Sequence, residues 1–553
     1  MDSRFFRSST TTPMNDRSKP KADRFNTSHD RAVLPLDRAR GTVHAREAGN
    51  HSAGVYSEPS FKHHLIHVPK GQSAGKPLRV MKFGGTSVGD ATSICRVVEI
   101  VRRASCTDQV IVVVSAMSGV TSKLVEVANR AGNGDLKQAL AILLEVKQRH
   151  ESAAQPLLPS GAVKNRVMNA IRATLQETEE VCRNVCETRV LTPEKADAIA
   201  GVGERLSVYL VAAALAKAGV SCEAIEATEL IVTDEHHGAA EPKMEPTRAQ
   251  CQKRLRKMLG DGVIPVITGY IGATEDGTLT TLGRNSSDYS ATILGAALDA
   301  DEVVIWTDVD GVLTADPRLV PSARNIAEIS FSEATELARC GAKVLHAKCL
   351  HPIADAGIPL RICNTFAGEQ PGTRVVPGTR SDAGEVKALA AVDGLALIWV
   401  SGDEHVRISD FQVRGTIALE AVGVDIRWVC CSNSSGSLAF IVASSAAEVA
   451  AKALRSEFLS RPQKGTKSRI DVQWPISVIT AVGHNVCGSS EFLEGTFDVL
   501  ARRHIRVLGV SRMYSDTSFS FVVASKHMQA ALAAAHENLF RQAETQNLSV
   551  GYF

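Results

Sequence analysis

Residues 78–104 read LRVMKFGGTSVGDATSICRVVEIVRRA, and the order of textures within them decides the fold. A β-rich run, LRVMKF, gives way to a Gly-Gly pair and two hydroxyl residues, then to a helical period, ICRVVEIVRRA, that Asp90 or Ser93 can cap. Strand, tight turn and helix in that order are the repeating unit of an open α/β sheet, whose ligands gather at the carboxyl ends of the strands. There Gly84 and Gly85 let the backbone approach an anion closely, the following helix adds its positive end, and Lys82 adds a full charge. Together they make an oxyanion cradle. The competing reading is a tight turn beside a snorkelling lysine, and this stretch alone does not separate the two.

Outward from it the same texture recurs. QVIVVVSA (109–116), SCEAIEA (221–227), VIPVITGY (263–270) and EVVIWTD (302–308) read as strands, and the first is apolar without alternation, as a central strand buried on both faces should be. Amphipathic helices separate them, among them ERLSVYLVAAALAKAG (204–219), which Gly219 stops. Residues 134–190 read as an all-helical insertion. The fold class is therefore α/β, a largely parallel sheet between helical layers, over residues 78–378. PGTRVVPGTRSDAGE (371–385) then accumulates Pro, Gly and charge and marks a boundary. Beyond it ALEAVGVDIRWVCCSNSSGSLAFIVAS (418–444) and VLARRHIRVLGVSRMYSDTSFSFVVAS (499–525) superpose without gaps at an offset of 81 residues. Each copy reads strand, helix, strand, strand, helix, which predicts two α+β units, over 386–460 and 470–545.

The 553 residues are too many for one core. Lys+Arg 62 against Asp+Glu 60 gives +2, so no strongly basic surface calls for nucleic acid or a membrane, and a small-molecule ligand is expected. No stretch approaches the roughly 20 apolar residues of a membrane span. Twelve cysteines are scattered without a C-x-x-C pair; Cys182, Cys186, Cys430 and Cys431 read as small hydrophobes, which suits a reducing, cytoplasmic setting. Residues 1–77 are rich in Ser, Thr, His, Arg and Pro and are expected to form a disordered basic extension. Asp2, Asp16, Asp23, Asp30 and Asp37 favour a plain tail over a transit peptide.

Three segments imitate functional motifs. GQSAGKP (71–77) is one residue short of a P-loop and has Pro77 where a hydroxyl should stand. GVGERL (201–206) lacks the third glycine of a dinucleotide fingerprint. Adjacent His236 and His237 point apart, so a surface loop is expected there rather than a metal site. Other segments support the cradle. SAMSGVT (115–121) ends the second strand in small and hydroxyl residues. In TTLGRNSSDYSA (280–291), Arg284 can grip a carboxylate and Asp288 can hold an ammonium, the two ends of an amino acid. Glu204 offers a second anion, or is simply an acid favoured at a helix start. WTDVDGVLTADPR (306–318) follows a strand with acids and a turn, a place to hold a nucleotide.

The order KFGGTS, SAMSGVT, GERLS, TGYIG, LGRNSSDYSA, WTDVDGVLTADPR, ELARCGAKVLH, NTF and PGT resembles the aspartate kinase family across residues 78–378, and the repeat resembles that family's paired ACT domains. The resemblance implies the amino-acid-kinase fold, ATP as phosphoryl donor with Mg²⁺ carried by the nucleotide, and L-aspartate as acceptor. It implies that Lys82 stabilises the transferring phosphoryl group and that Gly84 and Gly85 supply amides. Ser115, Thr121, Glu204, Arg284, Ser287 and Asp288 would hold aspartate, with Arg284 on the α-carboxylate, and Thr307, Asp308, Arg318 and Lys343 would bind ATP. It also implies an amino-acid effector, lysine or threonine. The second copy, with GHNVCGSSEF, matches the family's effector loop better than the first, with SGDEHVRISDF, and an insensitive enzyme is the alternative. Exposed edges of the ACT sheets suggest a homodimer or higher homo-oligomer.

A carboxylate acceptor is already ionised near neutral pH, with an ordinary pKa of about 3.9, so no general base is required. The obstacle is repulsion between two anions, which positioning and fixed positive charge relieve. Two departures from the family pattern stand out: Ser286 where a glycine is usual, and Ala347 where a proline usually follows GAKVLH. GERLS and the double ACT pattern argue against an N-acetylglutamate kinase, and no dinucleotide fingerprint downstream suggests a fused homoserine dehydrogenase. The alternative from another class is a degenerate kinase that only senses amino acids.

Overall fold

The structure is a computed structural model that describes residues 75–283, 286–341, 345–378, 385–401, 408–432, 437–459, 469–486, 490–512 and 517–549. The expected disordered extension, residues 1–77, lies almost wholly outside the described residues. Its last three residues are ordered: Lys76 Nζ donates to the carbonyls of Ser105 and Cys106 at 3.0 and 2.8 Å, tying the chain to a helix end rather than to a phosphate.

β1 (Leu78–Phe83) leads into α1 (Ala91–Thr107), which Asp90 caps by accepting from Ser93 N–H at 2.8 Å. β2 (Gln109–Val114) is followed by α2 (Val120–Gly132), α3 (Leu136–Leu157), α4 (Ala162–Thr188), α5 (Pro193–Ala200) and α6 (Val202–Lys217). Then come β3 (Cys222–Ile225), α7 (Met244–Gly260), β4 (Ile264–Thr268), the hairpin β5 (Ile271–Ala273) and β6 (Leu279–Thr281), α8 (Ser287–Leu298) and β7 (Glu302–Thr307). β8 (Glu328–Ser330), α9 (Phe331–Arg339), α10 (His351–Asp355), β9 (Leu360–Asn364) and β10 (Thr373–Val376) complete the first sheet. Its order is β3-β4-β2-β1-β7-β9-β10-β8, parallel from β3 to β9, with β10 antiparallel to β9. One apolar core lies on the side of α1 to α6 and a second on the side of α7 to α10, so Val112 and Val113 are each fully buried on opposite faces. Burial on both sides is why these strands do not alternate. Pro193–Lys217 passes as a membrane span by length and composition, against the expectation, yet 83% of its apolar window is buried. It is core, bent at Gly201 between α5 and α6.

The repeat builds a six-stranded antiparallel sheet, order β12-β13-β11-β14-β16-β15. Its elements are β11 (Val386–Ser401), α11 (Ile408–Glu420), β12 (Ile426–Ser432), β13 (Ser437–Ala443), α12 (Ala447–Leu459), β14 (Arg469–Gly483), α13 (Ser490–Arg502), β15 (Val507–Arg512), β16 (Ser518–Ala524) and α14 (Met528–Ser549). The two copies are not laid end to end at the expected bounds. β11 breaks register between Val392 and Leu395; residues 386–392 pair with 478–483 of the second copy, while 395–401 pair with β13 of the first. The two central strands are therefore long enough to serve both units, and the first copy is nested inside the second. Val386 and Leu389 lie accordingly in the core of the second copy, and Ala396 and Ile398 in that of the first.

The excursion after β7 enters this second core. Ala315 and Val320 pack with Ile479, Phe492 and Phe521, Leu389 N–H donates to Thr314 O at 2.8 Å, and Thr314 Oγ1 meets His536 Nε2 at 2.8 Å. Ser518 Oγ donates to buried Glu336 Oε1 at 2.8 Å.

Candidate active site

The sheet gathers the predicted residues of β1, β2, α6, α8 and β7 at one end. Lys82 is the fifth residue of β1, on the face that looks toward α8, and its Nζ lies 2.6 Å from Asp288 Oδ1. Both side chains are largely buried, so this is a shielded ion pair rather than a solvated one. Ser287 and Asp288 open α8, where a negative charge suits the helix dipole.

The Gly-Gly turn is tight at Gly85 and has ordinary contacts at Gly84. A Cβ at Gly85 would stand 2.8 Å from Ala116 O, because the β1 and β2 loops touch there, and Ser118 N–H donates to Gly85 O at 2.9 Å. A Cβ at Gly84 would stand 3.6 Å from Lys82 Nζ. Of the two glycines expected to supply amides, Gly84 N–H donates to Trp306 O at 2.9 Å, whereas Gly85 N–H makes no hydrogen bond among the described residues. The two hydroxyls also differ. Ser87 is fully buried and bonds Thr365 Oγ1 at 2.7 Å, bracing the turn against the end of β9, and only Thr86 is open to a ligand.

Glu204, in the first turn of α6, is fully buried, and its Oε2 has no partner among the described residues. Desolvation pushes its pKa up to about 8, against the opposing pull of the Ala116 N–H and the charge of Lys82. A helix-start acid that served the dipole alone would stay at the surface. Ser115 is nearly buried at the end of β2, and Thr121 is half-buried at the start of α2. Thr307 ends β7 beside Gly84, and its hydroxyl donates to exposed Asp308 at 3.2 Å. Arg318 is exposed and forks onto Asp316 at 2.9 and 2.5 Å. Arg284, Lys343, residues 402–407 of the first proposed effector loop and residues 487–489 of the second lie outside the described residues.

Ser286 does not crowd the backbone. Its φ of −89° is open to any residue, and its Oγ donates to Gly283 O at 2.5 Å. Ala347 starts a short turn that His346 caps by accepting from Lys348 N–H at 3.3 Å. The adjacent histidines differ: His236 is exposed on the loop as expected, with a side chain 82% accessible, whereas the His237 side chain is only 8% exposed and its Nδ1 donates to Asp197 at 2.9 Å. Asp197 lies outside every segment that the sequence offers for the site, whereas its partner Thr281 belongs to TTLGRNSSDYSA.

Fold and cluster together define an α/β protein that holds cations, a free amide and a buried acid at the carboxyl ends of its strands, with a nested antiparallel repeat behind them. The chain belongs to the amino acid kinase family, whose profile matches residues 77–364, and an ACT domain profile matches residues 479–539. It is 31% identical over 493 residues to bifunctional aspartokinase/homoserine dehydrogenase 1, chloroplastic, of Zea mays, covering 88% of this chain and 52% of that protein. The chain thus spans about half the length of the bifunctional relatives it matches. Aspartokinase 1, chloroplastic, of Arabidopsis thaliana is 27% identical over 479 residues, covering 85% of this chain and 82% of the relative. Among solved structures, E. coli aspartokinase III in complex with aspartate and ADP, in the R-state, superposes with a TM-score of 0.69 at 25% identity, covering 84% of this chain and 100% of the other. The same enzyme in complex with lysine and aspartate, in the T-state, gives 0.68 at 26% identity, covering 84% and 99%.

Proposed function

We propose that this chain is an aspartate kinase, transferring the γ-phosphoryl group of ATP to the side-chain carboxylate of L-aspartate to give 4-phospho-L-aspartate and ADP, the entry to lysine, threonine and methionine synthesis. The observation that carries the reading is the Lys82–Asp288 pair at 2.6 Å beside the open Gly85 amide and the orphaned Glu204 Oε2. Each group has a partner in the reaction. The substrate's ammonium satisfies Glu204 and Asp288, which releases the Lys82 charge toward the phosphoryl group as it passes between two anions. Gly85 N–H donates to the same group, Thr86 orients it without adding negative charge, and Arg284 grips the α-carboxylate. Ser115, Thr121 and Ser287 complete the acceptor site; Thr307, Asp308, Arg318 and Lys343 hold the nucleotide, with Arg318 leaving Asp316 to do so. No residue has to remove a proton.

Mg²⁺ would arrive with the nucleotide. The described residues hold no group of three or more His, Cys, Asp or Glu able to cage a metal, so the donor set fits an ion bound mainly by phosphate and water. Its contribution is to screen phosphate charge. The kinase unit spans 78–378. The first ACT unit comprises 395–459 with 469–473, and the second 476–545 with 386–392, in place of 386–460 and 470–545. Homo-oligomer formation through the ACT units, an amino-acid effector and a cytoplasmic setting belong to the same reading, supported by the lysine-bound T-state neighbour for the effector alone.

Trapping with hydroxylamine tests it. Purified chain with ATP, Mg²⁺ and L-aspartate should give aspartyl hydroxamate, and N-acetylglutamate should give none. Absence of hydroxamate from folded protein would favour the amino-acid sensor instead.

A further inference from the structure

Asp197 is 4% exposed and accepts four hydrogen bonds. Thr281 supplies two, from its N–H at 3.0 Å and its Oγ1 at 2.6 Å; Gly238 N–H lies at 3.0 Å and His237 Nδ1 at 2.9 Å. The carboxylate leaves Nδ1 no role but donor. Asp197 sits on α5, whose end turns at Gly201 into α6 and, three residues later, into Glu204. Thr281 ends β6, three residues before Arg284. One buried carboxylate therefore ties α5, which leads through Gly201 into the helix of Glu204, to the end of β6 and to the loop that carries His237. The elbow at Gly201 has no slack, since a Cβ there would meet Ile271 Cγ2 on β5 at 2.7 Å.

The loop that carries His237 is fastened at its other end as well. Glu241 accepts from Tyr289 Oη at 3.0 Å and pairs with Lys348 at 2.9 Å, and Tyr289 stands one residue beyond Asp288 in α8. His237 Nε2 faces Glu194 of α5 at 3.9 Å. The loop from 234 to 241 thus spans α5, which leads into the helix of Glu204, and α8, which carries Asp288, so it bridges the supports of the two acids that face the ammonium.

We infer that His237 and Asp197 are positioning residues for the amino-acid acceptor: the pair fixes the separation of Glu204 and Asp288, and so governs how tightly the substrate's ammonium is held. It touches neither substrate. The inference rests on the aspartate kinase reading and adds to it a specificity device that the nucleotide does not feel.

The test is steady-state kinetics of His237→Leu and His237→Asn beside the wild type. Leucine removes the donor, while asparagine places an N–H close to the position of Nδ1. His237→Leu should raise the aspartate KM about tenfold with the ATP KM within twofold of wild type, and His237→Asn should recover most of that loss. Equal movement of both KM values, no movement of either, or a lowered melting temperature with an unchanged aspartate KM would overturn the inference. A wild-type chain inert toward aspartate would instead overturn the underlying reading; calorimetric titration of the three proteins with L-aspartate then still reports whether His237 controls amino-acid binding.

Discussion

Replacing Glu204 with glutamine separates a functional buried acid from a structural one. Its carboxyl is fully buried and its pKa is pushed from the ordinary 4.5 up to about 8, chiefly by desolvation. At ~1.4 kcal/mol per pH unit, that rise corresponds to at most about 5 kcal/mol of preference for the protonated form in the folded chain. Because the folded pKa lies above the unfolded one, the associated stability is fully present below pH 4.5 and is lost as pH rises toward 8. Denaturant titrations of ligand-free protein two pH units apart within that window should differ by about 3 kcal/mol more in the wild type than in Glu204→Gln. Glutamine keeps an acceptor for Ala116 N–H, so the variant should fold. Binding of aspartate brings an ammonium to this site and should expel the proton. Calorimetry near neutral pH in two buffers of different ionisation enthalpy should then report release of most of one proton by the wild type and none by the variant. The variant should also lose aspartate affinity by about 3 kcal/mol or more, the cost of a buried charge left without its partner. Buffer-independent heats in the wild type, or the same proton release from Glu204→Gln, would refute the reasoning.

Lys82→Ala should reduce kcat by two to three orders of magnitude, roughly the worth of one preorganised charge-stabilising donor, with a much smaller change in aspartate KM; comparable losses in both would contradict its role. Gly85→Ala should cost about 1–3 kcal/mol of stability together with most activity, since its Cβ would press on Ala116 O at 2.8 Å; a denaturant midpoint equal to wild type would show that the loops can part. His536→Leu breaks the 2.8 Å contact with Thr314 and should raise the ATP KM several-fold through the excursion that bears Arg318, with the aspartate KM unmoved. Burial, aided by Arg324, holds the His536 pKa below its usual 6.5, so the unfolded chain takes the proton first and this contact should weaken as pH falls below that value.

Where the sequence carried a pattern with a physical cause, it was legible. The strand ending in Lys82, the cap at Asp90, the stop at Gly219 and the unalternating run of β2 all follow from local sterics and from burial on two faces. β8, with three residues, and the short β5–β6 hairpin have too few positions to show a period. The nesting of the repeat was hidden for another reason: β11 and β14 each run unbroken through the point where pairing changes partner, and composition does not register a change of partner. In the site, charge and glycine gave away Lys82, Gly85 and Asp288. The commitment of Gly84 N–H to Trp306, and of Ser87 to Thr365, depends on contacts across more than 200 residues and leaves no local trace. His236 stays outside, while His237 folds inward onto Asp197, a partner 40 residues away that leaves no local trace.

Isotope transfer tests the central claim most directly. L-Aspartate labelled with ¹⁸O in the side-chain carboxylate is incubated with the chain, ATP and Mg²⁺, and the product is cleaved with hydroxylamine at the acyl carbon. If that carboxylate attacks the γ-phosphorus, the bridging oxygen leaves with the phosphate, and one ¹⁸O should appear in each phosphate released. Unlabelled phosphate, or ATP left intact by folded protein, would contradict the account.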